Sequence, residues 1–405
     1  MENKITKIVA EGITDSKRTP TIRVTVWAGD ISGSFSVPSG ASTGAHEAHE
    51  LRDMNGLGVK SAIDKVNDVI APALVGKNVL NQKEIDRTMI ELDGTLNKDN
   101  LGGNSIIGVS VACAKLAAKV SKQETFEYLR TLTEIKPSRS APYLFMNLIN
   151  GGKHAKNNLT FQEYLIMPNM ENVAEAVDIG ITVQNVLKKI ITRELNGKFV
   201  VLGYEGGFAP EISDIKKPLE FLAEAIKENN LEGKVRLALD VAASSFYGNG
   251  SYKVDGKSIS KEELMKIYDS LISEFNLFYI EDPFDQEDFD SFRKLKENHR
   301  NLLVVGDDLT VTNVSLLKKA LERGSINSMI IKPNQIGTLS ETLETMRLAR
   351  ENNIELIVSH RSGETDDDFI ADLAYAFGCF GLKAGSPFKP ERKVKYDRLI
   401  KISGK

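Results

Sequence analysis

At 405 residues, 41% hydrophobic and 27% charged, the chain has the composition of a globular protein with room for two or so domains, one of them a barrel of about 250 residues. A net charge of -4 and an isoelectric point near 5.9 give no general polyanion-binding surface, so nucleic acid is not expected as a partner and any site for an anionic ligand must be local. Cys113 and Cys379 both lie in apolar segments, the start MENKITKIVAEG has no apolar signal core, and no run reaches a membrane span; a cytoplasmic protein without disulfides or membrane partners is expected.

The opening stretch alternates. KITKIVAEG, TIRVTVWAG with Ile22, Val24 and Val26 on one face, and SGSFSV are short period-two segments, and Gly29, Asp30 and Gly33 punctuate the last two, which predicts an antiparallel meander. PSGASTGAHEAHELRD follows. Its glycines and small hydroxyls suit a phosphate cradle, but the lysine of a nucleotide-binding P-loop is missing, so it reads as a lid with Gly40 and Gly44 as candidate hinges. Asn81 and Glu84 form a helix-start signal ahead of Ile85, Met89 and Leu92. NSIIGVSVACAKLAAKV, crowded with Gly, Ser and Ala, predicts close packing with Cys113 in the core. The polar stretch TLTEIKPSRSAP marks a boundary, placing a small α+β domain over 1–134 and a second domain over 135–405.

In the second part, FMNLINGGKHAKNNLTFQEYLIMP sets His154, Gln162 and Glu163 around a glycine-containing turn, and Glu205 sits among glycines in VVLGYEGGFAP. If Glu163 and Glu205 lie close together, repulsion raises the proton affinity of one and makes a general acid available near neutral pH. Four apolar runs between Val235 and Lys332 then each end in ionisable residues: VRLALD at Asp240, LFYIED at Glu281 and Asp282, LLVVGDD at Asp307 and Asp308, and SMIIK at Lys332. Helix-like segments separate them. Such a β/α repeat predicts an α/β barrel with these residues at the carboxyl ends of its strands, converging on one face. Hard oxygen ligands of this kind suit magnesium better than zinc. IELIVSHRSGETDDDF runs from a strand through His360, Arg361 and Ser362 into a helix, an arrangement suited to phosphate, and Lys383 follows another short strand in GLKAGSPFKPER. Carboxylates ringed by cations suit a divalent metal holding a substrate with both carboxylate and phosphate groups.

These motifs resemble the enolase family of phosphopyruvate hydratases over nearly the full length. The strongest matches are PSGASTG..EA.ELRD, MN.INGGKHA.NNL.FQE, EGGFAP, ALD.AAS, IEDPF, GDDLTVTN, IKPNQIGT, SHRSGET.D.FIADLA and KAGSP...ER, in the family's order. The resemblance implies an α+β N-terminal domain before a TIM-like barrel of irregular early strand order, assembled as a homodimer or higher homo-oligomer. It implies that Asp240, Glu281 and Asp307 bind one magnesium and Ser42 helps hold a second that arrives with substrate. Lys332 then corresponds to the base, Glu205 to the acid with Glu163 assisting, and His154, Gln162, His360, Arg361, Ser362 and Lys383 to substrate contacts. The implied reaction is the reversible dehydration of 2-phospho-D-glycerate to phosphoenolpyruvate in glycolysis and gluconeogenesis. For Lys332 to accept a proton it must be neutral, which surrounding cations are expected to promote.

Three departures stand out. Tyr204 occupies the place of an Asp in the family's GDEGG, Arg18 replaces a turn glycine with Arg23 in an acidic position, and IKPSRSAPY replaces the usual entry to the barrel. Tyr204 is the foothold for an alternative, a family paralogue of altered or weak activity serving another carboxylate substrate or a binding role.

Overall fold

The alternation around Ile22, Val24 and Val26 becomes the middle strand of a sheet. In the computed structural model, which describes residues 3–40, 44–54, 56–197 and 200–404, β1 (Lys7–Thr14), β2 (Pro20–Ala28) and β3 (Ile31–Ser36) form the expected antiparallel meander. Its apolar face packs on the helix Gly103–Val120, whose residues are nearly all buried. Small side chains let the layers meet backbone to backbone: a Cβ on Gly33 would lie 2.3 Å from the Leu116 nitrogen, and one on Gly108 would lie 2.7 Å from Val24 Cγ2. Cys113 is buried in this layer. The helix Gln82–Asp93 begins where expected, but the Asn81 side chain does not cap it; its amide donates to Glu84 Oε2 at 3.3 Å instead.

After an irregular segment come β4 (Tyr143–Asn150), β5 (Glu163–Pro168), β6 (Val235–Asp240), β7 (Tyr279–Glu281), β8 (Leu303–Gly306), β9 (Ser328–Ile331), β10 (Glu355–Ser359) and β11 (Gly381–Lys383). They close into one eight-strand barrel in that order, β11 pairing back to β4. Helices follow the later strands, as the β/α repeat predicted. The early strands are the irregular ones: β5 runs antiparallel to both β4 and β6, while the remaining pairs are parallel. Reversing β5 brings its first residue to the rim where its neighbours end.

Side-chain alternation then decides what faces inward. Ala238, Tyr279, Val305 and Ile330 belong to the barrel's interior cluster with Phe145, Leu165 and Ile357. Two residues further along the same faces stand Asp240, Glu281, Asp307 and Lys332. The register aligns Glu163 with Asp240 and Asp240 with Glu281, so three carboxylates sit side by side on adjacent strands.

The first sheet and its helices dock on this rim. Lys115 pairs with Asp367 at 2.8 Å, and Lys98 with Glu341 at 2.8 Å. The turn after β1 lies against the loop after β10: Ser16 N donates to the Glu364 carbonyl at 2.8 Å, and Ser39 N to that of Gly363 at 2.8 Å. Gly363 admits no side chain there, since a Cβ would fall 2.1 Å from Asp15 Oδ2.

Candidate active site

A small cavity opens at this rim, lined by the predicted His154, Gln162, Glu163, Glu205, Asp240, Asp307, Lys332, His360, Arg361, Ser362 and Lys383. Glu281 is fully buried directly beneath its ammonium partner, Lys383. Of the predicted set, Ser42 lies outside the described residues, so the structure is silent on it. The rest arrive together from separate strands, turns and loops.

Lys383 is the hub. Its ammonium lies 2.9 Å from Asp240 Oδ2, 2.8 Å from Glu281 Oε2 and 3.2 Å from Glu163 Oε2. Burial pushes its pKa down, but Asp240, Glu163 and Glu281 together hold it well above the ordinary lysine value. Lys332 donates to Asp307 Oδ2, whose other oxygen accepts from Gln335 Nε2 at 2.8 Å. The expectation of a neutral Lys332 is not met in this arrangement. Burial is the largest influence and lowers its pKa, as do the cations Arg361 and Lys383, yet the carboxylates Asp307 and Glu281 pull the other way and the net direction is upward.

The three predicted metal carboxylates are thus each turned toward an ammonium. Among the described residues, His154 with Glu163 and Glu205, and Asp282 with Asp307 and Asp308, form groups whose candidate ligand atoms lie within 4.8 Å of one another. Asp282 is already used as a brace, its oxygens accepting from the backbone of Asp307 at 2.9 Å and Asp308 at 2.7 Å. Carboxylates nevertheless outnumber Lys332, Lys383 and Arg361 in this pocket. Burial first, and then the neighbouring carboxylates, push Glu281 and Asp282 well above the usual range and Asp308 up to about 7. Hard oxygen donors carrying unrelieved negative charge fit a divalent cation such as magnesium.

Glu163 and Glu205 do lie close together, with His154 Nδ1 3.2 Å from one and 3.4 Å from the other. The pair splits as expected, but in the opposite sense to a protonated Glu205. Burial and then Glu205 raise Glu163 to about 7. Glu205, against the effect of burial, is held well below the carboxylate range by His154 and His360, and accepts from Asn147 Nδ2 at 2.9 Å. His154 itself is raised to about 10, burial being outweighed by the two glutamates. Glycines shape the turn bearing Glu205, since a Cβ on Gly203 or Gly207 would lie 2.7 Å from Asn150 side-chain atoms. Tyr204 contributes backbone: its N–H donates to the His154 carbonyl at 3.1 Å, and among the described residues its hydroxyl makes no hydrogen bond to Glu205.

At the phosphate-suited loop, Arg361 holds Glu47 of the lid stretch through two bonds, at 2.9 and 3.2 Å, and donates to Asn334 Oδ1 at 3.1 Å. Sequence reasoning missed Glu47, Gln335 and Asn147, all inside quoted motifs but assigned no role. It also missed Arg392, the arginine of KAGSP...ER.

A barrel closed in this order, with an α+β unit over its mouth and a rim of carboxylates and ammonium groups, has the architecture of a barrel enzyme with its site at the carboxyl ends of the strands. Comparison with known families gives the narrower class. The family model for the enolase N-terminal domain matches residues 5–129, and that for the enolase C-terminal TIM barrel domain matches 138–405. Similar proteins include the enolases of Methanocaldococcus jannaschii, 45% identical with 98% of this chain and 95% of that protein covered, and Methanopyrus kandleri, 44% identical with 98% and 95% covered. The enolase of Sulfurisphaera tokodaii is 43% identical, again with 98% and 95% covered. The chain belongs to the enolase family. Its activity is that of a lyase, phosphopyruvate hydratase.

Proposed function

We propose that this rim carries out the reversible dehydration of 2-phospho-D-glycerate with the roles that follow. The observation that supports the reading best is the register of Glu163, Asp240 and Glu281 on adjacent strands, joined through Lys383, with Lys332 on the same inward face. Lys332 removes the proton beside the substrate carboxylate. Lys383, anchored by its three carboxylates, presents positive charge to the same end of the substrate. Arg361 takes the phosphate, for which its two-pronged grip on Glu47 shows a suitable guanidinium geometry, with Ser362 and His360 alongside. His154 and Gln162 line the same cavity. Glu205 protonates the departing hydroxyl and is recharged from Glu163, whose raised proton affinity keeps a proton at hand near neutral pH.

Magnesium is the proposed cofactor, held by Asp240, Glu281 and Asp307, with a second ion brought by substrate and met by Ser42. When bound, it supplies positive charge that opposes the pull of Asp307 on the Lys332 proton and stabilises negative charge growing on the substrate carboxylate. The division at 134/135 belongs to this reading, since it falls in the irregular segment between the helix Thr125–Thr131 and β4. So do a cytoplasmic location, supported by two buried free thiols, and a homodimer or higher homo-oligomer. Among the described residues no helix is long and apolar enough to cross a membrane.

The direct test is formation of phosphoenolpyruvate from 2-phosphoglycerate with magnesium, with a chelator, and with Lys332→Ala. The expected results are turnover, none, and a fall of about 10³-fold or more. Turnover of Lys332→Ala near the wild-type rate would refute the assigned base.

A further inference from the structure

Arg392, on the C-terminal helix Pro390–Ser403, is fully buried in the wall of the site. Its hydrogen bonds go to neutral acceptors: His360 Nδ1 at 2.6 Å, and the carbonyls of Arg361 at 2.7 Å, Ser362 at 2.8 Å and Tyr204 at 3.4 Å. A guanidinium has donors only and does not lose its proton in proteins. The imidazole nitrogen it meets must therefore offer a lone pair. The proton of a neutral His360 is then on Nε2, which faces Glu205 Oε2 at 3.4 Å. The surroundings enforce the pairing, because a Cβ on Gly385 would fall 2.9 Å from His360 Cε1 and 3.2 Å from Arg392 Cδ.

We propose that Arg392 is a positioning residue that fixes His360 as a neutral Nε2–H donor toward Glu205 and ties the turn bearing Glu205 to the loop bearing Arg361 and Ser362. The charged groups around the imidazole are Glu205 on its Nε2 side, Arg392 on its Nδ1 side and Glu364 on its own loop, the last neutralised by Lys395 at 2.7 Å. Burial pushes His360 down to about 4; Glu205 pulls the other way and Arg392 adds to the depression. An imidazole that stays neutral keeps its Nε2–H turned toward Glu205, 3.4 Å away, without taking the proton that Glu205 needs.

The inference rests on the reading of Glu205 as the acid, so its test includes a signal independent of turnover. Full-length protein labelled with ¹⁵N-histidine carries five histidines, and His360→Gln identifies the signal of His360. In the wild type that signal should report an Nε2–H tautomer with no titration between about pH 5 and 8. In Arg392→Met it should titrate within that window, and kcat should fall about tenfold more at pH 6 than at pH 8. Arg392→Lys, which keeps a donor, should restore the tautomer. A wild-type His360 protonated on Nδ1 overturns the assignment. So does an Arg392→Met variant that loses turnover while its His360 tautomer is unchanged, an outcome that leaves the proposed reaction standing. If Arg392→Met does not fold, the wild-type spectrum and the Arg392→Lys variant decide: the lysine variant must keep the tautomer, and loss of it while folded and active overturns the proposal.

Discussion

Tyr204 is one of the places where this chain leaves its family's pattern, and its hydrogen bonds there are made by its backbone. The residue serves the site through its backbone, which any side chain at that position supplies. The charge next to Glu205 is a separate matter. Tyr204→Asp would place a second carboxylate beside the acid and raise its proton affinity, so a limb of the pH–rate profile should move by about half a unit or more. An unchanged profile and rate would contradict that. His154 allows a stability test. Its pKa is raised to about 10 in the fold against an ordinary 6.5, so its charge contributes stability that is complete below about pH 6.5 and is lost as pH rises toward about 10. The gap between wild type and His154→Gln in denaturant melts should therefore narrow from about pH 6 to pH 9; a widening gap would contradict the assigned shift. At this scale the strand-end residues were legible because an apolar run that stops at a charge announces its own end. Arg392 was not, since an arginine within a charged helix reads as solvated until tertiary packing buries it.

Among the elements, the turn between β1 and β2 shows a cost that the sequence did announce. Arg18, standing where a glycine is usual, has φ 63, in the left-handed region that a side chain disfavours. It is exposed, so Arg18→Gly should leave the contacts of the turn intact and change stability by no more than about 1 kcal/mol, toward greater stability. A loss beyond that in a denaturant melt would show that the side chain holds the turn. The helix Leu339–Glu351 is held from the other unit. Asp86 accepts from Ser340 N at 2.9 Å and Ser340 Oγ at 2.6 Å, and Leu339 N donates to Ser110 Oγ at 3.0 Å. Asp86→Ala leaves buried donors without partners and should cost about 1–3 kcal/mol by chemical denaturation; a neutral result would mean that water replaces the carboxylate. The cap itself is local, Thr338 Oγ1 accepting from Glu341 N at 3.1 Å, whereas Asp86 and Ser110 reach the first turn from more than 200 positions away, which no local signal announces.

For the whole molecule, repetition carried the reading. Successive β/α units made the barrel legible, and period-two alternation put Asp240, Glu281, Asp307 and Lys332 on one face. The reversal of β5 was accessible only through family resemblance, since a fully buried strand has the same composition in either direction. That reversal delivers Glu163 to the rim. The protonation of the site was the least legible part: which glutamate holds a proton depends on His154 and His360, brought from two segments far apart in the chain.

The central claim is that Lys332 takes a proton from substrate while Glu205 gives one to the leaving hydroxyl, two acts that isotope exchange separates. With magnesium in D₂O, Glu205→Gln should exchange the substrate's C2 hydrogen while forming no phosphoenolpyruvate, and Lys332→Ala should do neither. Exchange at the wild-type rate in Lys332→Ala would contradict the account.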